Sequence, residues 1–413
     1  MNTVTGNKAT NEWDKVRIGD ALRLINGRAF KPSEWRERGF PIVRIQNLNN
    51  SAAPFNYYEG DLPEKFLLNN GDLLFAWSGT PGTSFGAHIW RGGKAWLNQH
   101  IFKVMFDDVD FNKRFLQLAI NRNLNEYIRA AHGGAGLAHI TKGKFEDSEL
   151  VKPPLEEQKL IVEEIEKQFS RLDEAIANLK RVKTNLKRYK AAVLKAAVEG
   201  EFVSCNPSGW TRTNLGTVLT TIEAGKSFKC EERLPNIREV GVVKVSAVTW
   251  GTYNEEESKT CLDPDRIETR YFVKPGDFLF SRANTIQLIG ACVIAQKVNR
   301  KIMLSDKILR FHFSDMTVPQ WVLYWLRSDI GRKEIQRLST GNQESMRNIG
   351  QERIRQIAFA LPGLEEQRAI VAEVERRLSV IEELESAVQA NLTRADRLRQ
   401  SILYQAFKGE LLQ

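Results

Sequence analysis

Leu155-Glu156-Glu157-Gln158 opens a long Pro-free stretch that ends at Gly200-Glu201, and the same pattern returns as Leu364-Glu365-Glu366-Gln367, ending at Gly409-Glu410. The two copies align without a gap. Their period of about 200 residues is far too long for the stacked units of a solenoid. The chain is therefore predicted to contain a duplicated module, in which a globular domain is followed by a long helix. A chain that imitates a symmetric dimer is suited to a partner that itself has two halves.

The duplication divides the chain into five segments. They are a flexible N-terminal tail (1–12), a first globular domain (13–152), a first helical segment (153–203), a second globular domain (204–361) and a second helical segment (362–413). The two globular domains are also similar in sequence, but more weakly. For example, Gly71-Asp72-Leu73-Leu74-Phe75 in the first corresponds to Gly276-Asp277-Phe278-Leu279-Phe280 in the second. The loops between the shared positions differ completely. This pattern is typical of one scaffold that carries two different recognition surfaces.

Both globular domains are expected to mix strands with helices. Short apolar runs punctuated by Gly, Asn and Pro predict strands, at 42–45, 73–75, 101–106, 242–248, 278–280 and 291–295. Helices are expected at 111–131 and 319–338. The predicted class is α+β, with two mixed α/β domains separated by two long antiparallel helices that form a coiled coil, in a pseudo-two-fold internal repeat.

Apolar residues recur at steps of three and four along both long helices, which predicts a narrow apolar seam on each. The seam residues are Ile161, Ile165, Phe169, Leu172, Ile176, Leu179, Val182, Leu186, Tyr189, Val193 and Ala197 in the first helix, and Ile370, Val374, Leu378, Ile381, Leu384, Val388, Leu392, Ala395, Leu398, Ile402 and Ala406 in the second. Because one seam cannot be buried alone, each helix is the expected partner of the other. Pro153 and Pro362 suit the helix starts, and Gly200 and Gly409 suit the ends.

Composition favours a soluble binder of polyanions. The net charge is +9 and the pI is near 9.3, which favours a polyanion as partner. Cys205, Cys230, Cys261 and Cys292 have neither zinc-site nor disulfide-framework spacing, so a reducing, cytoplasmic compartment is expected. No run approaches the roughly 18 apolar residues of a membrane span, and the first residues lack the apolar core of a secretory signal.

Three motifs resemble enzyme motifs, but each is incomplete. Ala224-Gly225-Lys226-Ser227 looks like the end of a phosphate-binding loop, yet Thr220 stands where that loop needs glycine. Gly133-Gly134-Ala135-Gly136 follows a predicted helix, whereas a cofactor loop follows a strand. Lys152-Pro153-Pro154-Leu155 lacks both the polar and the aromatic residue that amino-methyltransferases place around their prolines. The histidines have no metal-ligand spacing, so we predict a non-catalytic chain that binds no metal and no cofactor.

Polar loops that follow the predicted strands supply candidate DNA contacts, because Arg and Lys suit guanine edges while Asn and Gln suit adenine edges. The candidates in the first domain are Arg44, Gln46, Asn47, Trp77, Ser78, Asn98, Gln99, His100, His139, Thr141 and Lys142. Those in the second domain are Lys226, Lys229, Lys244, Ser246, Ser281, Arg282, Asn284, Asp306, Lys307, Gly341, Asn342, Gln343, Ser345 and Arg347. A basic run on the first helix is either a solvated coiled-coil face or a surface for phosphate or partner contacts.

The repeated Leu-Glu-Glu-Gln helix start resembles the specificity subunits of type I restriction–modification systems, and so does the ending Gln400-Ser401-Ile402-Leu403 to Gly409-Glu410-Leu411. The order of two globular domains and two helical repeats is similar over nearly the whole chain. In the second domain, Gly276 to Arg282 and Thr340-Gly341-Asn342-Gln343 are similar to motifs of that family. The corresponding first-domain stretch, Gly133 to His139, lacks the glutamine.

The resemblance implies that each globular domain reads one half of an asymmetric bipartite DNA site. The helix pair would set the spacing and dock two adenine-N6 methyltransferase (modification) subunits, and the expected docking residues are Leu155, Glu156, Glu157, Gln158, Leu364, Glu365, Glu366 and Gln367. S-adenosylmethionine would bind the modification subunits, and ATP and Mg²⁺ would bind restriction subunits, with none of them on this chain. The alternatives are a coiled-coil scaffold whose head domains bind protein and, less favoured, a stand-alone DNA methyltransferase.

Overall fold

Both long helices contribute to two structural units in a computed structural model of the chain, which describes residues 13–50, 52–80, 83–130, 138–202 and 207–412. The predicted tail 1–12, the glycine-rich stretch 133–136 and Cys205 lie outside these residues. The first unit falls within Met1–Leu179 and Ala390–Gln413, and the second within Lys180–Gln389. Within the described ranges, no helix combines the length and apolar character that crossing a membrane requires.

The first globular domain alternates short strands with short helices and leads into the first long helix. Its elements are β1 (Asp14–Arg17), α1 (Ile18–Ala21), β2 (Arg23–Asn26), β3 (Phe40–Val43), α2 (Ile45–Asn49), β4 (Asn56–Tyr58), β5 (Leu67–Leu68), β6 (Leu73–Ala76), β7 (Ser78–Gly79), β8 (Gly86–Ile89), β9 (Ala95–Leu97), β10 (Ile101–Met105), α3 (Lys113–Arg122), α4 (Leu124–Ala130), β11 (Ala138–His139), α5 (Lys142–Glu146), β12 (Glu149–Lys152) and the long helix α6 (Leu155–Val198).

The second globular domain repeats this order. Its elements are β13 (Thr211–Asn214), β14 (Leu219–Ala224), β15 (Cys230–Glu231), β16 (Gly241–Val243), β17 (Ser258–Cys261), β18 (Phe278–Ser281), β19 (Ala283–Asn284), β20 (Cys292–Ile294), β21 (Ile302–Met303), β22 (Ile308–Phe313), α7 (Pro319–Arg327), α8 (Asp329–Leu338), β23 (Thr340–Gln343), β24 (Met346–Asn348), α9 (Gln351–Arg355), β25 (Ala358–Leu361) and the long helix α10 (Leu364–Ala406).

The sheets confirm the α+β class and the internal repeat. A four-stranded sheet runs β2-β10-β6-β8 in the first domain and β14-β22-β18-β20 in the second, which is the same order of equivalent strands. A second sheet in each domain contains a parallel pair, β3 with β9 and β16 with β21. The first and last strands of each domain pair antiparallel, β1 with β12 and β13 with β25. The duplication therefore extends to the strand topology.

The two helices predicted within the globular domains are each wrong in one respect, because the structure has two helices in place of each one. The stretch 111–131 forms α3 and α4, which Asn123 separates, and 319–338 forms α7 and α8, which Ser328 separates. The Ser328 hydroxyl accepts a hydrogen bond from the Gly331 N–H at 3.2 Å and so caps the start of α8. Apolar periodicity continues through both breaks because both members of each pair pack on the same core.

Two predicted strands end earlier than expected. The apolar run 42–45 leaves the sheet after Val43, and α2 begins at Ile45. The run 242–248 leaves the sheet after Val243 and continues as a single 3₁₀ turn. Val248 is fully buried although it lies outside the strand. In both runs, the apolar residues continue past the end of the strand. An apolar run therefore does not by itself predict strand pairing.

Aromatic stacking fills the core of the first unit, and the long helices close it. The rings of Phe75 and Phe145 stack at 3.9 Å, and Phe407 beyond the end of α10 packs on Phe115 of α3 at 5.1 Å. Ile161 and Ile165 of α6 and Ile402 of α10 belong to the same buried cluster. The globular domain and both helices thus share one core.

The long helices run antiparallel where they meet in each unit. In the first unit, Asp173 forms an ion pair with Arg399, whose guanidinium lies 4.5 Å from the Phe169 ring. In the second unit, Lys183 Nζ donates to Gln389 Oε1 at 3.1 Å. Arg377 lies over the ring of Phe202, beyond the end of α6, at 4.3 Å.

The predicted seam is correct for most positions and wrong for four of them. Val182, Tyr189, Leu384 and Leu398 are 43%, 47%, 47% and 49% exposed. Buried seam residues occur on both sides of these positions, as Leu186 and Val388 show in the second unit. A straight helix drifts relative to a strict seven-residue repeat, and these four positions lie outside the contact. Apolar surface therefore remains on the outside of the helix pair.

Both long helices end in the same way, as the glycines predicted. Gly200 and Gly409 have φ of 75°, a left-handed conformation that costs glycine little. The Glu201 N–H donates to the Ala196 carbonyl at 3.0 Å, and an equivalent bond of 3.0 Å closes the second helix. This pattern is a Schellman motif.

The glutamine of the repeated motif attaches α6 to the first globular domain. Gln158 is fully buried. Its Nε2 donates to the carbonyls of Asp110 at 2.9 Å and Pro153 at 2.8 Å. Its Oε1 accepts the Asn112 N–H at 2.9 Å, and Asn112 is the N-cap of α3. One side-chain amide thus satisfies backbone groups of the domain and of the segment that precedes the helix.

Gln367 repeats this arrangement in the second domain. Its Oε1 accepts from the Val318 N–H at 2.8 Å and the Thr317 hydroxyl at 3.0 Å. Its Nε2 donates to the carbonyls of Met316 at 3.1 Å and Pro362 at 2.9 Å. Val318 is the N-cap of α7, the counterpart of α3. The motif therefore attaches each long helix to its domain in the same way in both copies. We call the contacts of Gln158 in the first copy, and of Gln367 in the second, the joint.

The remaining motif residues divide between this joint and the solvent. Glu157 accepts the indole N–H of Trp13 at 2.9 Å, and Glu366 accepts that of Trp210 at 3.4 Å. Leu155 and Leu364 are half-buried, while Glu156 and Glu365 are exposed. The two glutamines are thus unavailable for the partner contact predicted from the sequence. For the exposed Glu156 and Glu365, a partner contact remains a prediction.

Replacing either glutamine with methionine is expected to destabilise the protein by about 3 kcal/mol, because buried backbone groups lose a side-chain hydrogen-bond partner. Gln158→Met should lower the unfolding midpoint of the first unit, and Gln367→Met that of the second. Gln400→Met, at an exposed position of α10, is the matched control and should change stability by less than about 0.5 kcal/mol. Unfolding in urea measures all three variants. Unchanged midpoints in the first two would contradict the assigned joint.

Candidate nucleic-acid interface

Four predicted site residues of the first domain come together beyond the ends of its strands. Trp77 follows β6, Gln99 and His100 precede β10, and His139 lies in β11. The Trp77 ring lies 5.2 Å from the His100 ring and 4.7 Å from the His139 ring, measured between centroids. Gln99 Nε2 donates to His100 Nε2 at 3.1 Å. We call these four residues the first loop cluster.

Strand register explains why residues so distant in sequence meet. β6 and β10 are antiparallel neighbours, so the end of one lies beside the start of the other. The Trp77 N–H donates to the His100 carbonyl at 3.3 Å, and the Ile140 N–H donates to the Trp77 carbonyl at 3.0 Å. β7 pairs with β11, which places Ser78 opposite His139. The cluster is therefore fixed by backbone hydrogen bonds on every side.

The first loop cluster presents neutral N–H donors. Burial lowers the pKa of His100, and repulsion by His139 and Arg44 lowers it further, so the neutral ring is favoured. Since Nε2 of His100 accepts from Gln99, the proton of the neutral ring is assigned to Nδ1. His100 Nδ1 and Trp77 Nε1 are buried and have no hydrogen-bond partner among the described residues.

The second domain forms an equivalent cluster from different residues. The Arg282 N–H donates to the Lys307 carbonyl at 3.0 Å, and the Ile349 N–H donates to the Arg282 carbonyl at 2.9 Å. Arg282 Nη2 makes a 3.5 Å contact with Asn348 Oδ1, and Lys307 Nζ lies 3.4 Å from Asp306 Oδ2. We call Arg282, Asp306, Lys307 and Asn348 the second loop cluster.

Other first-domain candidates are engaged within the fold. Asn47 and Asn98 are only 4% and 9% exposed. Asn47 Oδ1 accepts the Arg44 N–H at 3.0 Å, which makes Asn47 part of the cap of α2. Gln46 is exposed, and its amide donates to the Pro54 carbonyl at 3.3 Å. Of these residues, Arg44 and Gln46 have side chains that a ligand can reach.

Three more first-domain candidates lie at the start of α5 and in β7. Thr141 is exposed and caps α5 by accepting the Lys144 N–H at 3.5 Å. Lys142 Nζ lies 3.4 Å from Glu146 Oε1 on the same helix. Ser78 is half-buried in β7. Exposed ion pairs of this kind contribute little to stability, so Lys142 remains available to a phosphate.

Several second-domain candidates are paired with acidic neighbours. Lys226 Nζ donates to Glu268 at 2.6 Å, and this hydrogen bond raises the pKa of Lys226. Lys244 lies 3.5 Å from Glu232, and the Ser246 hydroxyl donates to a neighbouring glutamate at 2.6 Å. These pairs neutralise part of the basic charge that the sequence assigned to the loops.

Three further candidates differ in accessibility. Ser281 is fully buried, and its hydroxyl has no hydrogen-bond partner within the described chain. Asn284 is half-buried, and its Oδ1 accepts the Thr285 N–H at 2.8 Å. Lys229 is exposed. Of these three, Lys229 alone presents an exposed side chain to a ligand.

An exposed β-hairpin projects from the second domain, formed by β23 and β24. Gly341, Asn342, Gln343 and Ser345 are all exposed, and Met346 is 76% exposed. Gly341 has φ of 129°, and a Cβ there would lie 2.4 Å from the Met346 carbonyl oxygen, so the position requires glycine. Polar hairpins of this size fit the major groove of DNA. Met346 was not among the predicted residues, because an apolar side chain carries no polar signal.

Arg347 holds the hairpin together. Its Nη1 donates to the Gly341 carbonyl at 2.6 Å, and its Nη2 donates to the Ser339 carbonyl at 2.8 Å. The Ile286 N–H donates to the Glu344 carbonyl at the hairpin turn at 2.7 Å. The Arg347 guanidinium is therefore engaged inside the hairpin, and the exposed side chains stand on a rigid support.

The basic run lies on the part of α6 in the second unit. Its exposed members are Lys180, Arg181, Lys183, Lys187, Arg188 and Lys195, and Lys190 is half-buried. Lys195 lies 3.8 Å from Glu199, one turn further along. A row of exposed cations is consistent with a solvated helix face and with a phosphate-facing or partner-facing surface, so both alternatives from the sequence stand.

The resemblance predicted from the repeated motif is confirmed by comparison with known proteins. Residues 10–188 match the family model described as Type I restriction modification DNA specificity domain. The chain is 26% identical over 422 residues to the Type I restriction enzyme EcoBI specificity subunit of Escherichia coli, covering 97% of this chain and 86% of that relative. It is 27% identical over 435 residues to the EcoKI specificity subunit of Escherichia coli strain K12, covering 99% and 91%.

Solved structures share the fold. A chain from a structural study of complex assembly and conformational transition of the type I R-M system aligns with a TM-score of 0.74 at 18% identity, covering 98% of this chain and 100% of that one. The HsdS subunit from Thermoanaerobacter tengcongensis aligns with a TM-score of 0.58 at 21% identity, covering 98% and 99%. The whole length of the chain, with both globular domains and both long helices, is thus comparable with these structures.

The two arginines of the second-domain loops are expected to differ in their effect on stability. Arg347→Ala should destabilise the second unit by about 1–3 kcal/mol, because two backbone carbonyls lose charged donors. Arg282→Ala should change stability by less than about 1 kcal/mol, because the one hydrogen bond of its guanidinium within the described residues is the 3.5 Å contact with Asn348. Thermal unfolding of both variants measures the difference. Equal destabilisation would show that Arg282 also serves the fold.

Proposed function

We propose that this chain is the DNA-recognition subunit of a type I restriction–modification complex. The observation that carries the proposal is one scaffold built twice, with different side chains at equivalent loop positions of the two copies. The relatives that align over nearly the full length are named specificity subunits. The net charge of +9 suits a polyanionic ligand.

Each globular domain is proposed to read one half of a bipartite DNA site. The first loop cluster consists of three aromatic rings and one amide, whereas the second contains Arg282 and Lys307. Because the two clusters offer different donors and acceptors, they select different bases. The two halves of the site therefore differ in sequence, and the complete site is asymmetric.

The long helices are proposed to set the number of unread base pairs between the half-sites. α6 has 44 residues and α10 has 43, so each measures about 65 Å at 1.5 Å per residue. The division between the two units falls inside both helices, and it does not fall at their ends. Each long helix therefore contributes residues to both units, and the length of the helices is the quantity proposed to set the gap.

Two modification subunits are proposed to dock on the exposed surface of the helix pair. Val182, Tyr189 and Leu384 expose apolar surface in the second unit, and Leu398 does so in the first. Exposed apolar residues indicate a protein-binding surface where they form a contiguous patch, and the proposal is that these residues form one with their neighbours on the helix pair. These residues supplement the exposed Glu156 and Glu365 predicted from the motif.

The chemistry is proposed to reside in the partners. S-adenosylmethionine would be used by modification subunits for adenine-N6 methylation, and ATP with Mg²⁺ would be used by restriction subunits for cleavage. This chain would select the DNA sequence and position the partner subunits on it, and it would bind none of these cofactors. The complex as a whole would then be a site-specific, cytoplasmic methyltransferase and endonuclease.

Mapping methylated adenines tests the proposed function. The chain is assembled with its modification subunits and S-adenosylmethionine, and methylation of a random DNA pool is sequenced. We expect adenines within one bipartite sequence to be methylated, and binding of that sequence in gel shifts to weaken steeply with salt. The chain alone should transfer no methyl group. Methylation by the chain alone would indicate a stand-alone methyltransferase, and absence of sequence-specific DNA binding would indicate a protein-binding scaffold.

Lengthening both helices by one heptad tests their role as a spacer. Seven residues are inserted after Leu179 and seven after Gln389, which adds about 10 Å. This length corresponds to about three base pairs at 3.4 Å each. We expect the unread gap to lengthen by that amount while both half-site sequences stay the same. A single insertion in α6 is the control, and it should abolish specific methylation because it shifts the seam register. Altered half-site bases in the double insertion would contradict the assignment.

A further inference from the structure

We propose that the two loop clusters are the base-reading positions of the two domains, the first facing an A·T base pair and the second facing the guanine of a G·C base pair. This inference rests on the proposed function and names the residues that decide the sequence. It follows from a comparison of the two copies within one chain.

The backbone places the two clusters in equivalent positions. Trp77 donates its N–H to His100 and accepts from Ile140 at 3.3 and 3.0 Å. Arg282 donates its N–H to the Lys307 carbonyl at 3.0 Å and accepts from the Ile349 N–H at 2.9 Å. Each cluster therefore occupies the gap between the same two strands and the same short helix, and its side chains leave the scaffold at the same points.

Residues that serve the scaffold are identical in the two copies. The glutamine of the joint is shared, as is its neighbouring Trp–Glu pair. Gly27 and Gly225 are also equivalent, because an added Cβ would lie 2.1 Å from a backbone carbonyl oxygen in both copies. In the clusters, by contrast, Trp77 is replaced by Arg282 and His100 by Lys307. Sequence divergence on an unchanged backbone is what two different DNA half-sites require.

Donors without partners lie in both clusters. Trp77 Nε1 and His100 Nδ1 in the first, and Arg282 Nε in the second, are buried and have no hydrogen-bond partner among the residues that the structure describes. Most buried polar atoms in proteins are paired, so donors left over at equivalent positions of two copies indicate a ligand that supplies acceptors. Trp77, His100 and Arg282 are each partly exposed as residues, so their side chains can turn toward a base edge in the major groove, which supplies the acceptors.

The second loop cluster suits guanine. Arg282 and Lys307 are cationic donors, and the guanine edge offers two adjacent acceptors, O6 and N7. Lys307 is exposed, and its partner Asp306 is half-exposed. Such a pair is weak in water, and the lysine can exchange Asp306 for a base acceptor at small cost.

The first loop cluster suits an A·T base pair. Its free donors, Trp77 Nε1 and His100 Nδ1, belong to neutral rings and carry no formal charge. Adenine N7 and thymine O4 are single acceptors in the major groove, and the thymine methyl group packs well against an aromatic ring. The Gln99 amide adds the donor and acceptor pair that matches adenine. Neutral donors also avoid the cationic attraction that favours guanine.

Single exchanges between equivalent positions test the inference in the assembled modification complex. Lys307→His places the first-cluster residue in the second domain, Arg282→Gln removes the cationic fork, and His100→Lys makes the reverse exchange. Methylated sequences from a random DNA pool are compared with wild type. We expect Lys307→His and Arg282→Gln to lose preference for guanine at a position of the second half-site by on the order of ten-fold to a hundred-fold. The first half-site should stay unchanged.

The same assay gives the reciprocal result and the controls. His100→Lys should create a guanine preference in the first half-site, and thermal unfolding verifies that the variant is folded. Lys274→His and Arg238→Gln, at exposed second-domain positions outside the cluster, should leave both half-sites unchanged. A uniform loss over all sequences, or an unchanged second half-site in Lys307→His and Arg282→Gln, would overturn the inference. If the wild-type complex recognises no bipartite sequence, the proposed function itself fails.

Discussion

The buried side-chain amide of Gln158, and that of Gln367, is the interaction on which the rest of the structure depends. Each amide satisfies backbone groups from two segments at once, and each is fully buried. A buried backbone group without a partner costs roughly 1–3 kcal/mol, so the long helix has one favourable position relative to its domain. Because the same joint occurs twice, the two domains are attached to their helices in the same way.

The residues that attach each domain to its helix are different from the residues proposed to contact DNA. The glutamine that holds each domain on its helix is satisfied within the fold and is the same residue type in both copies. The residues at the loop clusters are positioned by backbone hydrogen bonds that are equivalent in the two copies, and their side chains differ. A fixed support with variable side chains lets one fold recognise different sequences. Arg347 belongs to the first group although it lies beside the second, because its guanidinium is bonded to backbone carbonyls.

Sequence predicted the features that depend on local pattern. The long helices, their Schellman ends and the duplication were visible because the apolar period, Gly200 and Gly409 are local signals. The breaks at Asn123 and Ser328 were not, because periodicity continues through them. The role of Gln158 was also hidden, because it depends on Asp110 and on a helix that starts far from it in sequence. A surface role for the motif was the natural interpretation, since glutamine is mostly exposed.

The same reasoning explains why the loop clusters are recognisable only in three dimensions. Trp77, His100 and His139 come from three separate segments, and strand register alone brings them together. Their unpaired donors are unfavourable in the isolated chain, where polar atoms buried without partners reduce stability. The joint at Gln158 offsets part of this cost by fixing the helix and domain firmly. The fold therefore satisfies the glutamine amides where the copies agree, and it leaves donors of Trp77, His100 and Arg282 unpaired among the described residues where the copies differ, as ligand recognition by a rigid scaffold requires.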